Sequence, residues 1–187
     1  MHLQIREAKF SDTPLIAELT RICWADRVAA SSSGHRESVE QVQQHLERGG
    51  AYLLLVDNKI VGSVRWLPLT TSPFVWEVMR MGVMPDYSGR SFGQHLLEAV
   101  IQRARSVNIR EIRLAVRADQ GRLLDLYAGY SFELAPELEY AHANPAEPAP
   151  TVMRRFLVRA CCLRPKLHFH APTSLTKNRI LEKLYRK

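Results

Sequence analysis

The sequence predicts an α/β (α+β) protein, a central mixed sheet flanked by helices on both faces, with a basic C-terminal extension. Three observations carry this. Apolar residues repeat at helical spacing in some segments and run as strands in others, in the order strand–helix–helix–strand–strand–strand–helix–strand–helix–strand. The breaks between segments fall on clusters of Gly, Ser, Asn, Asp or Pro. One β-rich run, Val75 to Val83, ends in a proline turn and a loop of small residues that opens an amphipathic helix. A chain of 187 residues with 46% hydrophobic content suits one domain with a sizeable core.

Leu3 to Ala8 forms the first strand. Ser11-Asp12-Thr13-Pro14 starts a helix, with proline in its first turn. Leu15, Ile16, Leu19, Ile22 and Cys23 recur at helical spacing and are expected to face the core. That helix gives out toward Ala29-Ala30-Ser31-Ser32-Ser33-Gly34. A second helix runs from Glu37 to Arg48 with Val39, Val42 and Leu46 inward, and Gly49-Gly50 stops it. Ala51 to Val56 and Ile60 to Leu67 make a hairpin turning at Asp57-Asn58-Lys59. Pro68 to Pro73 reads as a turn region, and Phe74 to Val83 is the central strand. Phe92 to Val107 is the next helix, with Leu96, Leu97, Val100, Ile101 and Ala104 on one side. Ile109 to Val116 is a buried strand, and a helix follows Gln120. The Pro- and Ala-rich stretch from Ala135 to Pro150 is a loop. Val152 to Val158 is the last strand. Residues 1–160 form the domain; residues 161–187 form the extension, with a helix over Leu175 to Tyr185.

No apolar run is long enough to cross a bilayer. The first residues lack the charged-then-apolar pattern of an export signal. The three cysteines, Cys23, Cys161 and Cys162, fit a reducing compartment, so a cytoplasmic location is expected. Neither a CxxC pair nor an HExxH pattern is present, so no metal is expected. His168-Phe169-His170 alternates as a strand does.

The formal charge of +7 is uneven. Ten of the 26 Lys and Arg, but only Glu182 among the 19 acidic residues, fall in residues 151–187. The body is therefore slightly acidic, and the high pI belongs to the end of the chain.

Two stretches carry the chemistry. The first is Val83-Met84-Pro85-Asp86-Tyr87-Ser88-Gly89-Arg90-Ser91-Phe92-Gly93. Small residues let backbone N–H groups approach an anion, and a helix N-terminus adds partial positive charge, so this loop suits a phosphate or pyrophosphate. The second is Gln120-Gly121-Arg122-Leu123-Leu124-Asp125-Leu126-Tyr127-Ala128-Gly129-Tyr130-Ser131-Phe132.

In order and spacing these two stretches resemble the acyl-CoA-binding motif and the tyrosine motif of the GNAT superfamily of N-acetyltransferases. The first motif has a strand ending V-x-P, then [QR]-x-x-G-x-[GA] and a helix. Val83, Pro85, Gly89 and Gly93 follow it, while Ser88 and Ser91 depart from it. In N-x-x-A-x-x-L-Y-x-x-x-G-F, Leu126, Tyr127 and Phe132 match, while Gln120, Leu123 and Ser131 depart. The resemblance covers about residues 3 to 160. It implies a sheet whose central strands splay to admit acyl-pantetheine, and acetyl-CoA as cosubstrate. It implies CoA contacts at Met81, Val83, Ser88, Gly89, Arg90, Ser91, Phe92, Gly93 and Gln120, with a main-chain oxyanion donor near Val83. It makes Tyr127 the general acid for the leaving thiolate.

The resemblance also makes Glu77 a candidate general base. Even spacing sets Glu77 on the strand face of Val83 unless a bulge intervenes, and an apolar strand would raise its pKa; the alternative is that Glu77 points to solvent or pairs with Arg80. His35, in the loop that lines the acceptor pocket in the family, is a further candidate. Trp24, Arg27, the serine loop and Trp76 are candidates to line the acceptor site.

The expected activity is N-acetyl transfer to a primary amine of a small molecule or protein, by direct attack in a ternary complex. The acceptor is not encoded in any motif. The alternative is a degenerate acyltransferase fold that binds nucleic acid or a protein partner through basic residues 151–187. A homodimer stays open, and no membrane partner is expected.

Overall fold

In the computed structural model, residues 1–25, 27–140, 143–144 and 147–157 are described. The expected basic extension, its helix, Cys161-Cys162 and His168-Phe169-His170 lie outside these. The elements are β1 (Leu3–Glu7), α1 (Thr13–Trp24), α2 (Val39–Arg48), β2 (Gly50–Val56), β3 (Lys59–Leu69), β4 (Ser72–Val83), α3 (Phe92–Ser106), β5 (Glu111–Val116), α4 (Arg122–Gly129), β6 (Glu133–Leu134) and β7 (Thr151–Phe156). They form one seven-stranded sheet in the order β1-β2-β3-β4-β5-β7-β6. Neighbouring strands are antiparallel except β4 and β5, which are parallel.

Each connection has a local cause. Asp57 and Asn58 take φ of 47° and 66°, the pair of positive angles that a two-residue hairpin matched to strand twist requires. Ser38 and Gln41 close a reciprocal capping box at the start of α2. The turn expected over Pro68 to Pro73 is shorter than that. Pro68 sits in β3 opposite Trp76, next to a register irregularity, so only Thr70-Thr71 separate the strands.

The sheet buries apolar side chains on both faces. On one, α3 and Tyr127 of α4 pack on Val64, Trp66, Trp76, Val78, Ile112 and Leu114. All five side chains expected on the inner side of α3 are buried there. On the other, Ile16 and Ala17 of α1 and Val42 of α2 pack on Ala51, Leu53 and Leu55. The α1 stripe is narrower than expected. Ile16, Leu19 and Cys23 are buried, whereas Leu15 and Ile22 are 39% and 38% exposed and Thr20 is buried in their place. Its hydroxyl donates to the Ile16 carbonyl, which makes its burial tolerable.

Trp76, expected as an acceptor-site residue, is instead core. It stacks on Trp66 at 5.2 Å. At the α2–β2 junction a Cβ on Gly49 would run into the Trp66 carbonyl oxygen. Gly49→Ala is expected to destabilise the fold by about 1–3 kcal/mol, read as a lower urea midpoint, through forced displacement of the β3 backbone.

Candidate active site

The central strands part halfway along. β4 and β5 pair only from Val75–Val78 to Glu111–Leu114. β4 runs on to Val83 and β5 to Val116, so Met79–Val83 have no partner on the β5 side. The main chain on that edge is left for something other than a strand. A slot of about 260 Å³ fills the gap, lined by Val78 to Val83, Leu114 to Arg117, Gln120 and Tyr127. A second cavity of about 550 Å³ shares Trp24, Val78, Met79, Arg80, Ala115 and Arg117 with the slot. It is walled by Ser31 to Ser33, Glu37, His45 and Tyr140.

Val83, on the slot wall, leads along the chain into the loop before α3. Gly89 and Ser91 have φ of 74° and 58°. The turn therefore needs left-handed conformations at both positions, which accounts physically for the family's glycine where Ser91 stands. Serine adopts the angle, so the loop keeps its shape. A Cβ on Gly89 or Gly93 would meet nothing within 4 Å, so the loop faces open space. The Phe92 and Gly93 amides, in the first turn of a 15-residue helix, have no acceptor among the described residues. They are open backbone donors at the positive end of the helix dipole. The Ser88 hydroxyl donates to the Pro85 carbonyl at 2.7 Å. Arg90 is exposed at the edge of this loop.

Tyr127 is buried in the slot wall, edge-on to Phe132 with ring centroids 6.0 Å apart. Burial raises its pKa to about 12, so the phenol stays protonated across the working range and is a weaker acid than a free tyrosine. Gln120 lines the slot, but its amide donates to the Arg27 carbonyl at 2.9 Å. Arg27 in turn reaches the Val83 and Pro85 carbonyls at 3.4 Å. The segment after α1 is thereby tied across the slot mouth.

A bulge corrects the expected alignment of Glu77 with Val83. Ser63 pairs with Gly82 and Arg65 with Met79, so Arg80 and Met81 together face Val64. The extra residue reverses the alternation. Val83 packs toward the α3 side, whereas Glu77, opposite in phase to Trp76 and Val78, faces the α1–α2 side. Glu77 lines neither cavity. It raises the pKa of Tyr140, on the wall of the larger one, and Arg113 is its register partner on β5. Burial lifts Glu77 to about 7, with Arg113 opposing. His35 turns away from both cavities, with Nε2 at 3.0 and 3.1 Å from the Val28 and Ala29 carbonyls.

Sequence reading missed a buried charge group. Glu37, 3% exposed, accepts from Arg65 Nη1 at 2.9 Å and from Arg80 Nε at 2.7 Å. Burial pushes the Glu37 pKa up, but its two arginine partners outweigh this and hold it below the ordinary range. Arg65 Nη1 also meets His45 Nδ1 at 3.0 Å. An arginine on an otherwise apolar strand was the available signal. Among the described residues no group of three or more His, Cys, Asp and Glu could hold a metal, and no helix is long and apolar enough to cross a membrane. Ser91→Gly is expected to stabilise the protein by about 0.5–1 kcal/mol, seen as a raised urea midpoint, because glycine takes the left-handed angle without steric cost.

A family model described as the acetyltransferase (GNAT) family matches residues 16–132. No curated protein matches the chain significantly. Several solved structures share the fold. PaiA N-acetyltransferase from Thermoplasma acidophilum in complex with coenzyme A is 16% identical, with a TM-score of 0.68 over 84% of this chain and 100% of its own. A GNAT-family acetyltransferase from Streptococcus pneumoniae is 21% identical, with a TM-score of 0.66 over 84% of this chain and 100% of its own. The ribosomal-protein-S18-alanine N-acetyltransferase from Escherichia coli is 18% identical, with a TM-score of 0.67 over 85% of this chain and 96% of its own. With the family model spanning more than half of the sequence, and both motifs flanking one slot between parted strands, the chain belongs to the GNAT family of acetyltransferases.

Proposed function

We propose that this protein transfers an acetyl group from acetyl-CoA to a primary amine held in the larger cavity, by direct attack in a ternary complex. The observation that carries this is the junction of two cavities where β4 and β5 part, with β4 leading from the slot wall at Val83 into a helix start whose first amides are open. The unpaired edge of Met81 to Val83 suits the amide groups of pantetheine. The Phe92 and Gly93 amides and the α3 dipole suit a pyrophosphate, with Arg90 beside them. Acetyl-CoA supplies the activated thioester when bound.

Transfer forms a C–N bond as a C–S bond breaks. One proton leaves the amine and one reaches the sulfur. Tyr127, in the slot wall, is the donor to sulfur, and its buried phenol, pushed up to about 12, stays protonated near neutral pH. Glu77 is the acceptor for the amine proton. Because it lies off the cavity surface, that proton reaches it through Tyr140 or a water molecule. A carboxyl titrating near 7 is well matched to this work. The cavity of about 550 Å³ accommodates a drug-sized amine or the end of a peptide.

Calorimetric titration with acetyl-CoA tests the reading. One-to-one binding in the micromolar range is expected, and absence of heat at millimolar ligand would remove it. With an amine acceptor in hand, Tyr127→Phe is expected to lower turnover about 100-fold while acetyl-CoA affinity changes little. Full turnover in that variant would take Tyr127 out of the mechanism.

Glu77 must be ionised to accept a proton, so kcat/KM is expected to rise with pH and level off above about 7. Glu77→Gln should flatten that acidic limb; an unchanged profile would assign the base elsewhere. The sign for stability is the reverse. The folded pKa is raised, so the protonated form favours folding, and this contribution fades as pH rises from the unfolded carboxylate range through about 7.

A further inference from the structure

The bulge in β4 has an unusual occupant. The first residue of a left-handed bulge is normally glycine, since a side chain crowds the backbone at positive φ. Here it is Arg80, at φ 52°, with Met81 beside it. A left-handed angle at a long side chain is costly and persists where the surroundings over-determine it.

The fixing groups come from the segment between α1 and α2. Arg80 Nε donates to Glu37 Oε2 at 2.7 Å and Nη2 donates to Ser33 Oγ at 2.6 Å. The guanidinium lies 5.8 Å over the Trp24 ring. The other Glu37 oxygen takes Arg65 Nη1 at 2.9 Å, and Arg65 is the cross-strand partner of Met79. One buried carboxylate therefore ties β3 and β4 together on the approach to the bulge. Arg65 is fully buried, and its Nε and Nη2 find no partner among the described residues, so Glu37 is its main electrostatic compensation. The bulge also coincides with the end of β4–β5 pairing at Val78 and Leu114, where the slot opens.

We infer that Glu37 is a positioning residue: it clamps Arg80 in the left-handed bulge and so sets the path of Met81 to Val83 along the slot. This rests on the reading of the slot as the acetyl-CoA site. The carboxylate does no chemistry itself; it holds in place the main chain that the cosubstrate contacts.

Substituting position 80 separates the clamp from any direct contact of the guanidinium. Arg80→Ala and Arg80→Gly both delete the side chain, but only glycine accepts φ 52° unaided. Acetyl-CoA affinity, by calorimetry, is expected to be at least tenfold tighter in Arg80→Gly than in Arg80→Ala. Equal affinities in the two position-80 variants would overturn the inference. Thermal unfolding keeps the clamp testable apart from the ligand: Arg80→Gly should melt several degrees above Arg80→Ala. Equal melting would refute the clamp even if acetyl-CoA binds. Wild-type protein that melts cooperatively but ignores acetyl-CoA would remove the functional reading, and the slot-shaping role with it.

Discussion

The parting of β4 from β5 after Val78 and Leu114 is the constraint on which the rest depends. A parallel pair that stops halfway leaves backbone donors and acceptors with no strand to meet, a costly arrangement in a protein interior unless water or a ligand takes them. Here the gap is not closed by packing. α3 and α4 cover one face, α1 and α2 the other, and between them a slot stays open beside the second cavity. Tyr127 lines its wall, Val83 on that wall leads along the chain to the open Phe92 and Gly93 amides, and the larger cavity adjoins it.

Two buried carboxylates on the α1–α2 side show how partners decide chemistry. Glu37 and Glu77 are similarly buried, yet their pKa values move in opposite directions. Glu37 is gripped by two guanidinium groups and stays ionised. It belongs to the architecture. Glu77 feels burial more than its one opposing arginine and titrates near neutrality, which frees it to move a proton. The sequence presents both simply as glutamates near apolar runs.

Much of the fold was legible because its signals are local. The α3 stripe, the Asp57-Asn58 turn, the central strand and the small-residue loop each follow from periodicity or backbone preference within about ten residues. Both motifs flank the slot as their order implied. What sequence reading missed is non-local or breaks periodicity. The bulge at Arg80 reversed the facing of Glu77 because no propensity marks an arginine for a left-handed angle. Trp76 belongs to the core because Trp66, ten residues earlier in sequence but on the neighbouring strand, offers it a stacking surface. Glu37 and Arg65 are 28 residues apart, so their pairing leaves no spacing to read.

The central claim is that the parted strands and the start of α3 form one continuous acetyl-CoA site. The most direct measurement is an amide-resolved NMR titration of the uniformly ¹⁵N-labelled protein with acetyl-CoA. Saturable shifts are expected to concentrate at Met79 to Val83 and at Gly89 to Gly93, with the same binding constant for both groups. Shifts confined to the basic residues beyond 157, or none at either group at saturating ligand, would contradict it.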